Sequence, residues 1–369
     1  MSGPLEAWDR DRAVRRLGEL VTTETPSGDA ARLLAAYELI AEWGTKALGR
    51  APETVVEDGV PHLLWGAARP RVLLLCHADT VFPAGTVGRR PFRVDGDRAT
   101  GPGVFDMKAG IVAGLDALEL VGVTDEVALL VTGDEETGSR TSRGLIESVA
   151  AEADAVLVME PSLGGALKVG RKGGAFYDIT FRGLAAHAGL EPELGRNALL
   201  ELARWAVEVP RFADPVRGTT VTPTRASAGT ALNVVPDLGT LTVDVRALTI
   251  AEMERVDAAL RGLVHGAADG VAVEIAGGIN RPPLEAADSV ELVALCRAQA
   301  RRLGQPEPGT ATVGGGSDGN FTSALGIPTV DGLGPAGDGA HAEHEWVSIP
   351  AIGERALLVA AMVEALTPR

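Results

Sequence analysis

Arg71–Thr80, RVLLLCHADT, decides the architecture of this chain. Arg71–Cys76 is a short, almost continuous apolar run, and His77-Ala78-Asp79-Thr80 follows at once. A run this short, bounded by turn residues, fits a strand buried on both faces, as in a parallel sheet covered by helices. Two further stretches read the same way. Glu126–Thr132 (EVALLVT) runs into Asp134-Glu135-Glu136, and Asp154–Met159 (DAVLVM) runs into Glu160-Pro161. In open α/β sheets ligands gather beyond the carboxyl ends of the strands. Three strand ends loaded with histidine and carboxylate therefore point to one site.

Outward from these strands, Leu17 and Val21, then Leu33, Leu34, Leu39 and Ile40, carry helical spacing, and Met107–Val121 reads as a helix with one apolar face. This texture continues to about Lys172. From Gly173 the pattern changes. Ala175–Phe181 (AFYDITF) alternates like a half-exposed strand. A helix at Arg196–Val207, strands at Thr219–Ala226 and Leu238–Arg246, a helix at Ile250–His265 and a strand at Val271–Ile275 complete a β-α-β-β-α-β order, the ferredoxin-like split pattern. After Pro282–Pro283 the first texture returns, with a helix near Ala287–Leu303, a Gly-rich turn, a short strand at Pro328–Asp331 and a last helix from Pro350. The expected fold is α/β: a mostly parallel sheet flanked by helices, formed by residues 1–172 and 284–369, interrupted by a small α+β domain of residues 173–283.

Composition removes several function classes. The 369 residues carry 34 Lys and Arg against 50 Asp and Glu, a formal charge of −16. Nucleic-acid binding needs a basic footprint, and so does attraction to anionic lipid. Two cysteines, Cys76 and Cys296, make neither a disulfide scaffold nor a four-Cys zinc module. No apolar run approaches the ~20 residues of a membrane span. Met1–Arg16 alternates charge and has no signal-peptide core. A cytoplasmic protein with no nucleic-acid or membrane partner is the expectation.

Converging carboxylates repel one another unless a cation neutralises them. Singly, an acid after a strand can be a helix N-cap. Taken together, His77, Asp79, Asp106, Glu135, Glu136 and Glu160 suit a divalent metal, zinc by their mixed nitrogen and oxygen donors, with cobalt or manganese as substitutes. The adjacent Glu135 and Glu136 point apart, so one can bind metal while the other acts as general base. His77 and Asp79, two apart, share a face if extended, with Asp79 as the orienting partner of a ligating His77. His62 and His265 have no acidic or Gly-rich context and read as surface or structural residues. In Gly339–Trp346 (GAHAEHEW), His341 and His344 compete for the late ligand. Gly101–Asp106 only partly resembles a dinucleotide fingerprint and precedes its apolar run. Gly314, Gly315 and Gly316 form either a tight turn or a set of amides that hold a substrate carboxylate.

Five stretches in order, Cys76–Val81, Gly101–Gly110 (GPGVFDMKAG), Thr132–Gly138 (TGDEETG), Met159-Glu160-Pro161 and the segment around His341, resemble the motifs of the dizinc peptidase and amidohydrolase family that includes glutamate carboxypeptidase, acetylornithine deacetylase, succinyl-diaminopimelate desuccinylase and the aminoacylases. His187–Leu199 (HAGLEPELGRNAL) and Gly314–Phe321 (GGGSDGNF) are most similar to the glutamate carboxypeptidase branch. The resemblance implies two zinc ions, one on His77 and Glu160 and the other on Glu136 and His341, with Asp106 bridging. It also implies Glu135 as general base, Asp79 behind His77, and a non-proline cis peptide after Asp106. Residues 173–283 would be a lid and dimerisation domain. From it His187 would reach the partner subunit's site to stabilise an oxyanion, and Asn233 and Arg246 would contact the substrate carboxylate. Lys168 would meet an acidic substrate side chain. One departure is His344, which stands where relatives commonly have Asp. If the register shifts by three, His344 replaces His341 as ligand.

The function so implied is hydrolysis of an amide or peptide bond by a homodimer, releasing a C-terminal, glutamate-like residue from a small peptide or N-acyl amino acid. The alternatives are an N-acyl-amino-acid deacylase and a non-catalytic metal-binding assembly protein. The filled ligand positions argue against the last.

Overall fold

The three apolar runs become the strands Val72–His77, Val127–Thr132 and Ala155–Val158 of one six-stranded sheet. The structure is a computed structural model that describes residues 8–68, 70–267 and 270–368. Residues 1–7, part of the segment expected to lack a signal peptide, fall outside the described residues. Edge to edge, the sheet runs Glu53–Glu57, Val60–Trp65, Val127–Thr132, Val72–His77, Ala155–Val158, Thr329–Val330. The last four strands are mutually parallel, and the first two form an antiparallel hairpin. That hairpin lies where apolar periodicity gives no element. Its turn is Asp58-Gly59, with φ of 47° and 82°, the positive values a two-residue hairpin turn requires.

Strand residues alternate between two cores. Leu74, Leu129 and Leu157 pack with the helices Ala30–Leu48, Ala109–Val121 and Ile349–Leu366. Leu73, Leu75, Leu130, Val156 and Val158 pack on the other face with Ile146 and Phe321. Each such Leu or Val removed from water contributes ~1.5–3 kcal/mol, which explains why these strands read as unbroken apolar runs. Among the described residues, no helix is long and apolar enough to cross a membrane.

The second sheet is antiparallel, in the order Thr220–Ala228, Leu238–Ala247, Gly173–Arg182, Ala272–Arg281. The helices Ala198–Glu208 and Ile250–Gly262 complete the β-α-β-β-α-β order. Tyr177, Ile179, Phe181, Trp205, Val243, Val245 and Met253 form its core. The last strand runs on to Arg281 beyond the expected Ile275, and Pro282, which has no N–H for a ladder, follows it.

The chain divides into two compact units, Met1–Gly170 with Glu285–Val313 and Ser317–Arg369, and Arg171–Leu284 with Gly314–Gly316. The Gly-rich turn, assigned by sequence pattern to the larger domain, thus groups with the smaller unit. Arg171 Nη1 donates to the carbonyls of Gly315 and Gly316.

Candidate active site

His77 ends its strand, and Asp79 follows in the crossover, so both lie beyond the carboxyl edge of the sheet. The first turn of helix Ala109–Val121 comes close to this edge because position 110 is glycine: a Cβ would lie 2.1 Å from the Met159 carbonyl oxygen. Asp106, in the segment just before that helix, and Glu160 both reach the His77 ring. The Asp106–Met107 peptide is cis. Glu135 and Glu136 lie in a single 3₁₀ turn after Val127–Thr132.

His77 Nε2 is 3.3 Å from Asp106 Oδ1 and 3.4 Å from Glu160 Oε1. His341 Nε2 is 3.4 Å from Asp106 Oδ2 and 3.0 Å from Glu136 Oε2. Asp106 therefore stands between two imidazoles. Donor atoms of His77, Glu135 and Glu160 lie within 4.8 Å of one another, as do those of His77, Asp106 and Glu136. His341 takes up a left-handed φ of 64° after Gly339 at 79°. His344 is exposed and lines a different cleft with Arg89, Arg90 and Arg93.

The carboxylates and imidazoles perturb one another strongly. Burial alone would raise the Asp106 pKa, but the two imidazoles, His341 first, hold its carboxyl well below the usual carboxylate range. Burial opposes charge on His77, but its contacts with Asp106, Asp79 and Glu160 outweigh this and push it well above an ordinary histidine. Contact with Asp106 and then Glu136 pushes His341 up to about 10. Asp106 Oδ1 is buried and accepts no hydrogen bond among the described residues. A buried carboxylate oxygen left this way is costly unless a cation completes it. Two imidazole nitrogens among clustered carboxylates form a zinc-type donor set, so the residues present fit a divalent metal pair.

Asp79 is fully buried and does two things. Its Oδ1 accepts from Glu135 N (3.1 Å), and its Oδ2 accepts from Glu136 N (3.2 Å) and Ser27 Oγ (2.7 Å). His77 Nδ1 lies 3.1 Å from the Asp79 carbonyl oxygen and 3.4 Å from its Oδ1. Asp79 thus fixes both a ring and the turn that carries Glu135 and Glu136.

Several supporting residues carry no sequence signal. Glu345, fully buried, accepts from Gly103 N, Phe105 N and Asp106 N, which ties the His341 segment to the Asp106 loop. The amides of the partial dinucleotide fingerprint therefore hold a carboxylate of the chain itself. Burial pushes Glu345 up to about 7 against those hydrogen bonds. Asp318 accepts from Thr132 Oγ1 (2.8 Å) and Ser139 Oγ, anchoring the loop of Glu135 and Glu136. His62, one of the two histidines without context, is buried, accepts from Gly133 N and contacts Thr141 Oγ1, so it is structural. His265 is exposed. Burial pushes the Cys76 thiol up to about 12, which leaves it inert.

Lys168 Nζ is 3.7 Å from Glu160 Oε2. The remaining candidates lie in the smaller unit. His187 and Asn233 are exposed and adjacent, joined through Ala188 N to the Asn233 carbonyl at 2.9 Å. Arg246 is half-buried, pairs with Asp244 at 2.9 Å and stacks over Phe176. Gly314 and Gly315 are exposed, and Gly316 less so.

A family model described as peptidase family M20/M25/M40 matches residues 73–365. Carboxypeptidase G2 of Pseudomonas sp. (strain RS-16) is 34% identical, with 96% of this chain and 89% of that protein covered. A succinyl-diaminopimelate desuccinylase of Alkalilimnicola ehrlichii is 31% identical over 79% of this chain and 84% of its own. Among solved structures, an aminopeptidase of Bacillus cereus superposes with a TM-score of 0.76 at 22% identity, covering 98% of this chain and 99% of that one. An M20 family metallo-carboxypeptidase of Sulfolobus solfataricus gives 0.69 at 19%, with 96% and 99% covered.

Proposed function

This chain belongs to peptidase family M20/M25/M40, and on that premise we propose that it is a metal-dependent carboxypeptidase. It hydrolyses an amide or peptide bond to release a C-terminal, glutamate-like residue from a small peptide or N-acyl amino acid. The observation that carries the reading is Asp106, set between His77 and His341 with a buried oxygen that accepts no hydrogen bond among the described residues. His77, Glu160, Glu136, His341 and the bridging Asp106 would hold two divalent cations, zinc with cobalt or manganese as substitutes. When bound, such ions supply Lewis-acid polarisation and water activation at neutral pH.

The chain's own residues do the rest. Asp79 holds the turn so that the Glu135 carboxylate stays within 4.8 Å of the His77 and Glu160 donors. Glu135 takes a proton from the attacking water as the new C–O bond forms. It returns the proton to the leaving nitrogen as the C–N bond breaks. His187 of a second copy donates to the oxyanion. Arg246, Asn233 and the Gly314–Gly316 amides take the terminal carboxylate, and Lys168 takes an acidic side chain.

The 34% likeness to carboxypeptidase G2 supports the carboxypeptidase reading. The 31% likeness to a desuccinylase supports a second, an N-acyl-amino-acid deacylase. We place the protein in the cytoplasm as a homodimer joined through the smaller unit, where Leu190, Leu194, Leu199, Leu200 and Val207 are exposed. Zinc-loaded protein tested on N-acyl-glutamates, dipeptides and N-acetyl basic amino acids separates the readings. Turnover of the glutamates, lost on C-terminal amidation, is expected. Preference for amidated substrates overturns both readings. Mixing His187→Ala with Glu135→Ala subunits should restore some activity if sites are shared.

A further inference from the structure

Arg171 is buried at 3% exposure, a fork-shaped cation at the start of the smaller unit. Its backbone pairs both ways with Leu284, N–H to carbonyl at 3.0 and 3.1 Å, which pins the residue where the chain enters and leaves that unit. Its Nη1 donates to Gly315 O at 3.2 Å and to Gly316 O at 3.1 Å. Two successive carbonyls are thereby drawn to one side of the turn.

In a planar trans peptide the C=O and N–H point opposite ways. Holding the Gly315 carbonyl inward turns the Gly316 N–H outward, and that N–H has no acceptor among the described residues. The next N–H, of Ser317, is already taken by Asn320 Oδ1 at 2.9 Å. Arg281 closes the other side, since a Cβ at position 316 would lie 2.7 Å from its Cδ. The guanidinium also polarises both peptide groups, which strengthens donation from their N–H ends.

We propose that Arg171 is the positioning residue of the Gly314–Gly316 turn, locking its carbonyls inward so that the Gly316 amide is presented to a substrate carboxylate. This rests on the reading of the turn as a carboxylate receptor given above. Arg171 touches no reacting atom. Its effect is on binding of the carboxylate, and it fastens that receptor to the unit that also carries Asn233 and Arg246.

The test uses the full-length, zinc-loaded protein with Arg171→Lys and Arg171→Met, each checked for fold by circular dichroism. Lysine keeps the charge, but its Nζ falls one bond short of the Nη1 that serves both carbonyls. Arg171→Met should raise KM for a substrate with a free C-terminal carboxylate about tenfold or more, the loss of one charge-assisted bond, with kcat within about threefold. Arg171→Lys should fall between, and hydrogen exchange across residues 310–318 should quicken in both. Unchanged KM and unchanged exchange in the two variants overturn the proposal while leaving the receptor reading intact. If wild-type protein treats the C-terminal amide like the free acid, the receptor reading fails, and exchange at 310–318 still decides whether Arg171 holds the turn. Should the methionine variant not fold, the KM and exchange of the lysine variant alone decide.

Discussion

Asp79→Asn changes one atom, and its consequence follows from the contacts. The carboxylate serves Glu135 N through Oδ1, and Glu136 N and Ser27 Oγ through Oδ2. Asparagine offers one oxygen, so in either orientation an amide –NH₂ faces one of the two backbone donors. The loss is one charge-assisted hydrogen bond plus an unsatisfied donor beside a fully buried side chain, about 2–3 kcal/mol. Since 1.4 kcal/mol is tenfold, misplacement of the turn that carries Glu135 and Glu136 should cost about 30- to 100-fold in kcat/KM. Zinc affinity should weaken about 10- to 100-fold, the usual effect of a changed partner behind a ligand. Ser27→Ala, which removes only the hydroxyl donor, should cost less than about tenfold. The assays are steady-state kinetics and zinc competition on folded variants. A zinc affinity and kcat/KM for Asp79→Asn within about twofold of wild type would refute the view that this residue organises the site.

Gly110→Ala should destabilise the protein. A helical alanine gains about 1 kcal/mol over glycine, but its Cβ would meet the Met159 carbonyl at 2.1 Å, and overpacking of this kind costs about 1–3 kcal/mol or more. Thermal unfolding should show a lowered Tm, with Gly144→Ala, whose Cβ meets nothing within 4 Å among the described residues, neutral or slightly raised. Glu252 is held down to about 2 chiefly by Arg255, with Arg217 and Thr219 adding to it against burial. A carboxyl depressed in the folded state stabilises above its unfolded value and loses that contribution as pH falls through the folded one. Tm should therefore fall between about pH 4.3 and 2, and fall less steeply in Glu252→Gln. Parallel profiles would contradict the pairing.

Much of the larger unit is legible because parallel strands buried on both faces must be apolar along nearly their whole length, as residues 72–76 and 127–131 are, before they end in His77 and Thr132. The smaller unit was legible by the opposite rule, alternation, with Tyr177, Ile179 and Phe181 inward. The hairpin at Asp58-Gly59 carries no such signal because its outer strand, Glu53–Glu57, is almost wholly exposed and has no face to encode. Convergence of acids at strand ends pointed to a metal centre, and the resemblance supplied the roles. What could not be read was the scaffolding behind it. Glu345 meets Gly103 across 242 residues and Asp318 meets Thr132 across 186, so only tertiary structure pairs them. Spacing left His341 and His344 equal; in the structure, the left-handed backbone at His341 accompanies a ring facing Asp106 and Glu136.

Glu135 lies close enough to the donors of His77 and Glu160 to be a ligand, yet the account makes it the general base. Glu135→Gln keeps the shape and removes the base. Metal content and turnover measured on the same sample of this variant test the claim most directly. The account predicts wild-type metal content with kcat reduced at least about 100-fold. Loss of metal in step with activity, or turnover within about tenfold of wild type, would contradict it.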